Sequence, residues 1–82
     1  MGSVLEFPGI DPRDAEVGAR LKRWRQQRGV ELEDLARQLG VSTEDARRVE
    51  AGRGHLTSLQ IGTATSALHL PLWALVSDRP AY

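Results

Sequence analysis

The chain has 82 residues, no cysteine, 40% hydrophobic and 27% charged residues, and 11 basic side chains against 11 acidic ones. A chain this short suits one domain with one core, and the missing thiols exclude a disulfide framework, a cysteine nucleophile and cysteine-ligated zinc. Its two histidines, His55 and His69, are too few and too far apart for a dedicated metal cage, and its longest apolar run, residues 72–76, is far too short to span a bilayer.

The first residues lack the basic region and long apolar stretch of a signal peptide, so a cytoplasmic protein with no membrane segment is the expectation. Residues 1–10 show no helical period and contain the breakers Gly2, Pro8 and Gly9. They read as an amino-terminal arm, extended or disordered, although Val4, Leu5 and Phe7 are apolar enough to pack on a core or a second subunit. Asp11-Pro12-x-Asp14 opens a first helix: Asp11 caps it, Pro12 takes the first helical position, and an acid follows in the first turn. Val17, Leu21, Trp24 and Arg28 fall on one face of that helix, which should end near Gly29. Gly18 lies within it at a cost of about 1 kcal/mol.

A second helix places Leu32, Leu35, Ala36 and Leu39 on one side and stops at Gly40. Ser42 caps a third helix that starts with Glu44 and Asp45 and runs to Ala51, before Gly52. Thr57-x-x-Gln60 has the form of a capping box opening a fourth helix, with Ile61, Ala64 and Leu68 inward. Pro71 restarts the chain as a short fifth helix extending to about Ser77. No strand period or internal repeat appears. The expected architecture is all-α and compact: an arm at 1–10, a five-helix domain over 11–78, and a tail at 79–82.

The overall neutrality conceals an asymmetry. Residues 1–19 carry a net charge of −3, residues 20–53 have nine bases against six acids, and residues 54–82 are neutral. Charge by segment is the more informative quantity. The basic middle contains the second and third helices, joined by Gly40-Val41-Ser42, and a tight glycine-containing turn between short helices is the helix-turn-helix arrangement. Within Leu35-Ala36-x-x-Leu39-Gly40-Val41-Ser42-x-x-x-Ala46-x-x-Val49-Glu50-x-Gly52, Ala36 leaves room for the crossing helix. Gly40 permits the positive φ of the turn. At about 100° per residue, Ala46 and Val49 centre on one side of the third helix, and Thr43, Glu44, Arg47 and Arg48 centre roughly 160° away. An outward face of this kind is what a helix needs to reach base edges in the major groove. Glu44 and Asp45 read either as favourable helix-start charges or, for Glu44, as an acceptor for a cytosine amino group.

These motifs, with the first-helix pattern Leu21-x-x-x-Arg25-x-x-Arg28-Gly29-Val30 and the trailing Leu68-x-Leu70, resemble the Cro/lambda-repressor-type (XRE-like) helix-turn-helix DNA-binding family over residues 17–76. The resemblance implies a five-helix lambda-repressor-like fold. It also implies a transcriptional regulator of repressor type that binds double-stranded DNA as a homodimer on a near-palindromic operator. Carried over, base contacts fall on Thr43, Glu44, Arg47 and Arg48. Phosphate contacts fall on Arg53 and on the start of the fourth helix from His55 through Thr57 and Ser58, with the cap residue Ser42 and the first-helix Arg28 as further candidates. A structural ion pair would join Arg25 and Glu50. Three positions depart from the family pattern: Glu31-Leu32 replaces Ser-Gln at the start of the second helix, Glu44-Asp45 puts acids at the tip of the third, and His69 replaces a glycine after the fourth.

In Leu70-Pro-Leu-Trp-Ala-Leu-Val, the residues Leu72, Trp73 and Val76 either close the domain or form a dimer interface. The competing function is a helix-turn-helix fold used for protein contact, of cytoskeleton-docking or antitoxin-like type, with a protein partner and weak or no DNA binding. An enzyme is not expected, since Ser and His lack any triad-like setting and the acids are explained by helix starts. No cofactor or metal site is expected.

Overall fold

The computed structural model describes residues 11–76. The arm at 1–10, with Val4, Leu5 and Phe7, and the tail at 79–82 lie outside the described residues. Four α-helices are described: α1 (Pro12–Gln27), α2 (Leu32–Leu39), α3 (Thr43–Glu50) and α4 (Ser58–Ala67). A 3₁₀ turn, Leu72–Leu75, is the last element among the described residues, and no strand occurs among them.

Most helix ends fall where local chemistry places them. The Asp11 carboxylate accepts from the Arg13 amide at 2.7 Å, and Pro12, which has no amide hydrogen, sits where that donor would be unpaired in any case. Gly29 ends α1 at φ 70° and Gly40 ends α2 at φ 74°, left-handed conformations that glycine adopts without steric penalty. Glu31 makes no side-chain cap for α2, whereas the Ser42 hydroxyl accepts from the Asp45 amide at 3.0 Å at the start of α3. Thr57 and Gln60 form a reciprocal capping box at the start of α4.

The end of α4 breaks the usual pattern. His69 takes φ 58°, where a side chain clashes with its own backbone and a non-glycine residue costs about 1–2 kcal/mol. His69→Gly is therefore expected to raise the unfolding free energy by about 1 kcal/mol, after the extra chain entropy of glycine is offset. Urea denaturation followed by circular dichroism measures this, and an unchanged or lower midpoint would show that His69 is held without strain.

The expected fifth helix is corrected: the described segment after Pro71 is a four-residue 3₁₀ turn, Leu72–Leu75, and the expected end at Ser77 lies outside the described residues. Its backbone bonds span three residues, from the Ala74 amide to the Pro71 carbonyl and from the Val76 amide to the Trp73 carbonyl, both at 3.0 Å. The tighter turn fits the burial, because the adjacent residues Ala74 and Leu75 are both inside. Arg20 Nη1 also donates to the Leu75 carbonyl at 3.4 Å.

The core is built from Leu21 of α1, Leu35 and Leu39 of α2, Val49 of α3, Leu56, Ala64 and Leu68 around α4, and Leu75. Val17, Trp24, Val30, Val41, Ile61 and Leu70 pack against it from the rim. α1 lies on α3 and on the 3₁₀ turn, and α2 packs on both α3 and α4. At the α1–α3 crossing, Gly18 is buried against the backbone of the other helix. A β-carbon built there would lie 2.0 Å from the Val49 carbonyl oxygen. The glycine that looked costly within one helix is what lets two helices touch.

Candidate nucleic-acid interface

The helix-turn-helix is formed by α2 and α3, which pack directly on each other through the turn at Gly40-Val41-Ser42. Ala46 and Val49 bury one side of α3 completely or nearly so. The opposite side is open: Glu44, Arg47, Asp45 and Arg48 keep more than half of their side-chain surface in solvent, and Thr43 is half-buried. The structure thus brings Thr43, Glu44, Arg47 and Arg48 together on one outward face.

That face is internally paired. Arg47 Nη1 donates to Glu44 Oε1 at 2.8 Å, and Arg48 Nη1 donates to Asp45 Oδ1 at 3.1 Å, each across one helical turn. Exposed pairs of this kind contribute about 0–1 kcal/mol, so either guanidinium can exchange its acid for another acceptor at small cost.

The rear of α3 is anchored much more firmly. Arg25 Nε donates to Glu50 Oε2 at 2.6 Å and Arg25 Nη2 to Glu50 Oε1 at 3.0 Å, a bidentate pair with 13% and 6% of the side-chain surfaces exposed. The remaining Nη1 donates to the Val30 carbonyl at 2.8 Å. One guanidinium therefore ties α1 to the last residue of α3 and to the α1–α2 connection. The hydrogen bond that Arg25 donates to Glu50 raises the pKa of Arg25 above its usual value despite the loss of hydration, and the arginine stays charged.

The phosphate candidates are distributed less evenly. Ser42 and Thr57 spend their hydroxyls capping α3 and α4. The capping box occupies the amides of Thr57 and Gln60, while those of Ser58 and Leu59 have no acceptor within the helix and mark its positive end. The Arg53 amide closes α3 by donating to the Arg48 carbonyl at 2.8 Å, and its side chain is exposed. His55 Nδ1 lies 2.9 Å from Asp14 Oδ1, which links the loop before α4 to the first turn of α1. Arg28 sits elsewhere: its Nε donates to the Leu68 carbonyl at 2.9 Å and its guanidinium lies 5.3 Å from the Trp24 ring centre. It closes the carboxyl end of α4, a helix about 15 Å long whose other end carries Thr57 and Ser58. The structure does not bring Arg28 to the other phosphate candidates.

Of the three interface candidates, Leu72 and Val76 are 65% and 53% exposed and Trp73 is half-buried. Sequence reasoning missed Leu59, which at 81% is the most exposed large hydrophobic residue described. It lies off the Ile61/Ala64/Leu68 face, and that offset was the available signal. Leu59 and Leu72 flank a shallow groove of about 800 Å³ floored by Gly62, Thr63 and Ser66. Among the described residues no group of three or more His, Asp or Glu side chains is placed to hold a metal ion, and no helix is long and apolar enough to cross a membrane.

Comparison with known proteins agrees with this geometry. The family described as helix-turn-helix domain matches residues 16–71. A Rhodospirillum rubrum protein named as an uncharacterized transcriptional regulator in the ATPase CF(0) region is 32% identical over 65 residues, or 79% of this chain. The chain spans 60% of that relative's length. Among solved structures, a hypothetical transcription factor, NHTF, from Neisseria superimposes with a TM-score of 0.72 at 25% identity, covering 89% of this chain and 84% of the other.

Proposed function

The chain belongs to the helix-turn-helix domain family, and from that premise we propose that it is a sequence-specific DNA-binding transcriptional regulator of Cro/lambda-repressor (XRE-like) type. The reading includes action as a repressor in the cytoplasm, with α3 in the major groove of double-stranded DNA. The observation that carries it is the division of α3: Ala46, Val49 and the buried Arg25–Glu50 pair hold the helix from behind, while Thr43, Glu44, Arg47 and Arg48 face outward. A rigid helix presenting hydrogen-bonding side chains on one face meets the geometric demand of base readout. Arg53, His55 and the open amides at the start of α4 would take phosphates beside the groove, with the cap residues Ser42 and Thr57 holding the two helix starts in position. The protein acts by binding, with no catalytic step and no cofactor.

A homodimer on a near-palindromic operator, with half-sites about 34 Å apart, is part of the same reading. Leu59, Leu72 and Val76 supply exposed apolar surface for a second copy, with the half-buried Trp73 as a further candidate. We assign this function to the domain at residues 11–78, with residues 1–10 and 79–82 as its arm and tail.

Arg47→Ala is expected to weaken binding to a selected operator by about 1–3 kcal/mol and to relax base preference at one or two pairs. Arg53→Ala is expected to weaken all duplexes alike and to reduce the steepness of the salt dependence by about one phosphate's share. Fluorescence anisotropy titrations at several salt concentrations measure both effects. Equal affinity of the unaltered chain for selected and random duplexes would refute the sequence-specific reading. One observation favours the other reading, a protein-docking module: the arginines on α3 are matched one for one by acids, so the face has no net charge with which to attract DNA. Absence of any duplex binding at about 50 mM salt, where phosphate contacts are strongest, would decide for it.

A further inference from the structure

The outward face of α3 offers donors and acceptors as side-by-side pairs instead of a patch of positive charge. Arg47 and Glu44 are 2.8 Å apart at their nearest atoms, and Arg48 and Asp45 are 3.1 Å apart. The two arginines and two acids cancel, so this face carries no net charge to draw it onto the phosphate backbone. Directed hydrogen bonds to base edges then weigh more in its energy on a duplex.

The four base-pair orientations differ in how well they complement such a face. A G·C pair presents two acceptors, guanine N7 and O6, beside a donor, the cytosine amino group. A guanidinium and a carboxylate held next to each other complement that edge directly. An A·T pair instead asks for a side chain that both donates and accepts on one base, as Asn or Gln does, or for apolar contact with the thymine methyl. α3 has the sequence TEDARRVE, with no Asn or Gln, and its outward face has no apolar group beyond the Thr43 methyl. A carboxylate facing adenine N7 or thymine O4 would meet another acceptor, which adds a penalty against the wrong pair.

We infer that the major-groove stretch facing α3 is G·C-rich, with Arg47 and Arg48 each taking guanine N7 and O6 and Glu44 accepting from a cytosine amino group of the same or the next pair. The inference rests on the DNA-binding reading above and adds the composition of the site. In this arrangement Glu44 is a specificity-determining residue. Asp45 balances Arg48 and keeps the face from holding DNA of arbitrary sequence.

Selection from a random duplex pool with the full chain tests this, repeated with Glu44→Gln and Arg47→Ala. Both positions are exposed, and circular dichroism confirms that each variant is folded. The enriched half-site is expected to contain at least two neighbouring G·C pairs. Glu44→Gln should reduce discrimination for cytosine at one position about tenfold while leaving affinity for a random duplex equal or higher, and Arg47→Ala should lose guanine preference at a neighbouring position. An enriched site with an A·T core, or a Glu44→Gln variant with unchanged base preference, would overturn the inference and leave DNA binding intact. Duplex binding without any enriched sequence would overturn it too, by showing that charge alone holds the DNA. Failure to bind any duplex at about 50 mM salt removes the DNA-binding reading itself, and the inference with it.

Discussion

Replacing Gly18 by alanine is expected to lower the unfolding free energy by about 2–3 kcal/mol, although alanine is the better helix former by about 1 kcal/mol. A β-carbon at this position would lie 2.0 Å from the Val49 carbonyl oxygen and 3.1 Å from the Val49 carbonyl carbon. Both are backbone atoms of α3 and cannot rotate aside, so α1 and α3 must separate. Separation loosens Val49, which is 6% exposed within the core, and strains the Arg25–Glu50 pair that bridges the same two helices. Urea titration with tryptophan fluorescence gives the stability, and duplex binding by the residual folded protein gives the effect on α3. An alanine variant as stable as the parent would mean that the helices do not touch at this point.

Glu50→Ala should cost still more, about 3–5 kcal/mol, because it leaves the Arg25 guanidinium largely buried with only the Val30 carbonyl to accept from it. A domain of this size has of the order of 4–12 kcal/mol in total, so much of the protein is expected to unfold at 37 °C. The paired replacement Arg25→Met with Glu50→Leu should recover most of that stability, since it removes both charges and keeps volume in the site. The comparison separates two roles. If the double variant is stable but binds DNA weakly, the ion pair sets the position of α3; if it binds as well as the parent, the pair serves folding alone. Equal stability of Glu50→Ala and the parent would show that water already reaches the guanidinium.

The helices of this protein were legible because their signals are local. Asp11-Pro12, Ser42 and the Thr57/Gln60 box act within a few residues of themselves, and each sits where its chemistry places it in the structure. The outward face of α3 was legible for a related reason: a period of 3.6 residues fixes which side chains oppose Ala46 and Val49. The segment after Pro71 was misjudged because nothing local separates a short α-helix from a 3₁₀ turn there. What packs there comes from far along the chain: Ala74 and Leu75 are both buried, and Arg20, 55 residues earlier, donates to the Leu75 carbonyl.

The charge balance followed the same division. Segment charges could be counted from the sequence, but Arg28, counted there with the basic helix-turn-helix region, turns out to hold the end of α4. The acid–arginine pairs on α3 lie three residues apart and could be anticipated from helix spacing; the placement of His55 against Asp14 could not, since 41 residues separate them.

By itself, then, the sequence determined where the helices begin, which face of each is apolar, and which side chains of α3 face away from the core, because each depends on neighbours within about one or two turns. Only the tertiary structure decided why Gly18 must be glycine, how Arg25 fastens α3 through Glu50 and Val30, which cations are committed inside the domain, and which of the apolar residues beside α4 are left facing solvent. Those are contacts between residues distant in the chain, fixed by how the helices pack and not by the period of any one of them.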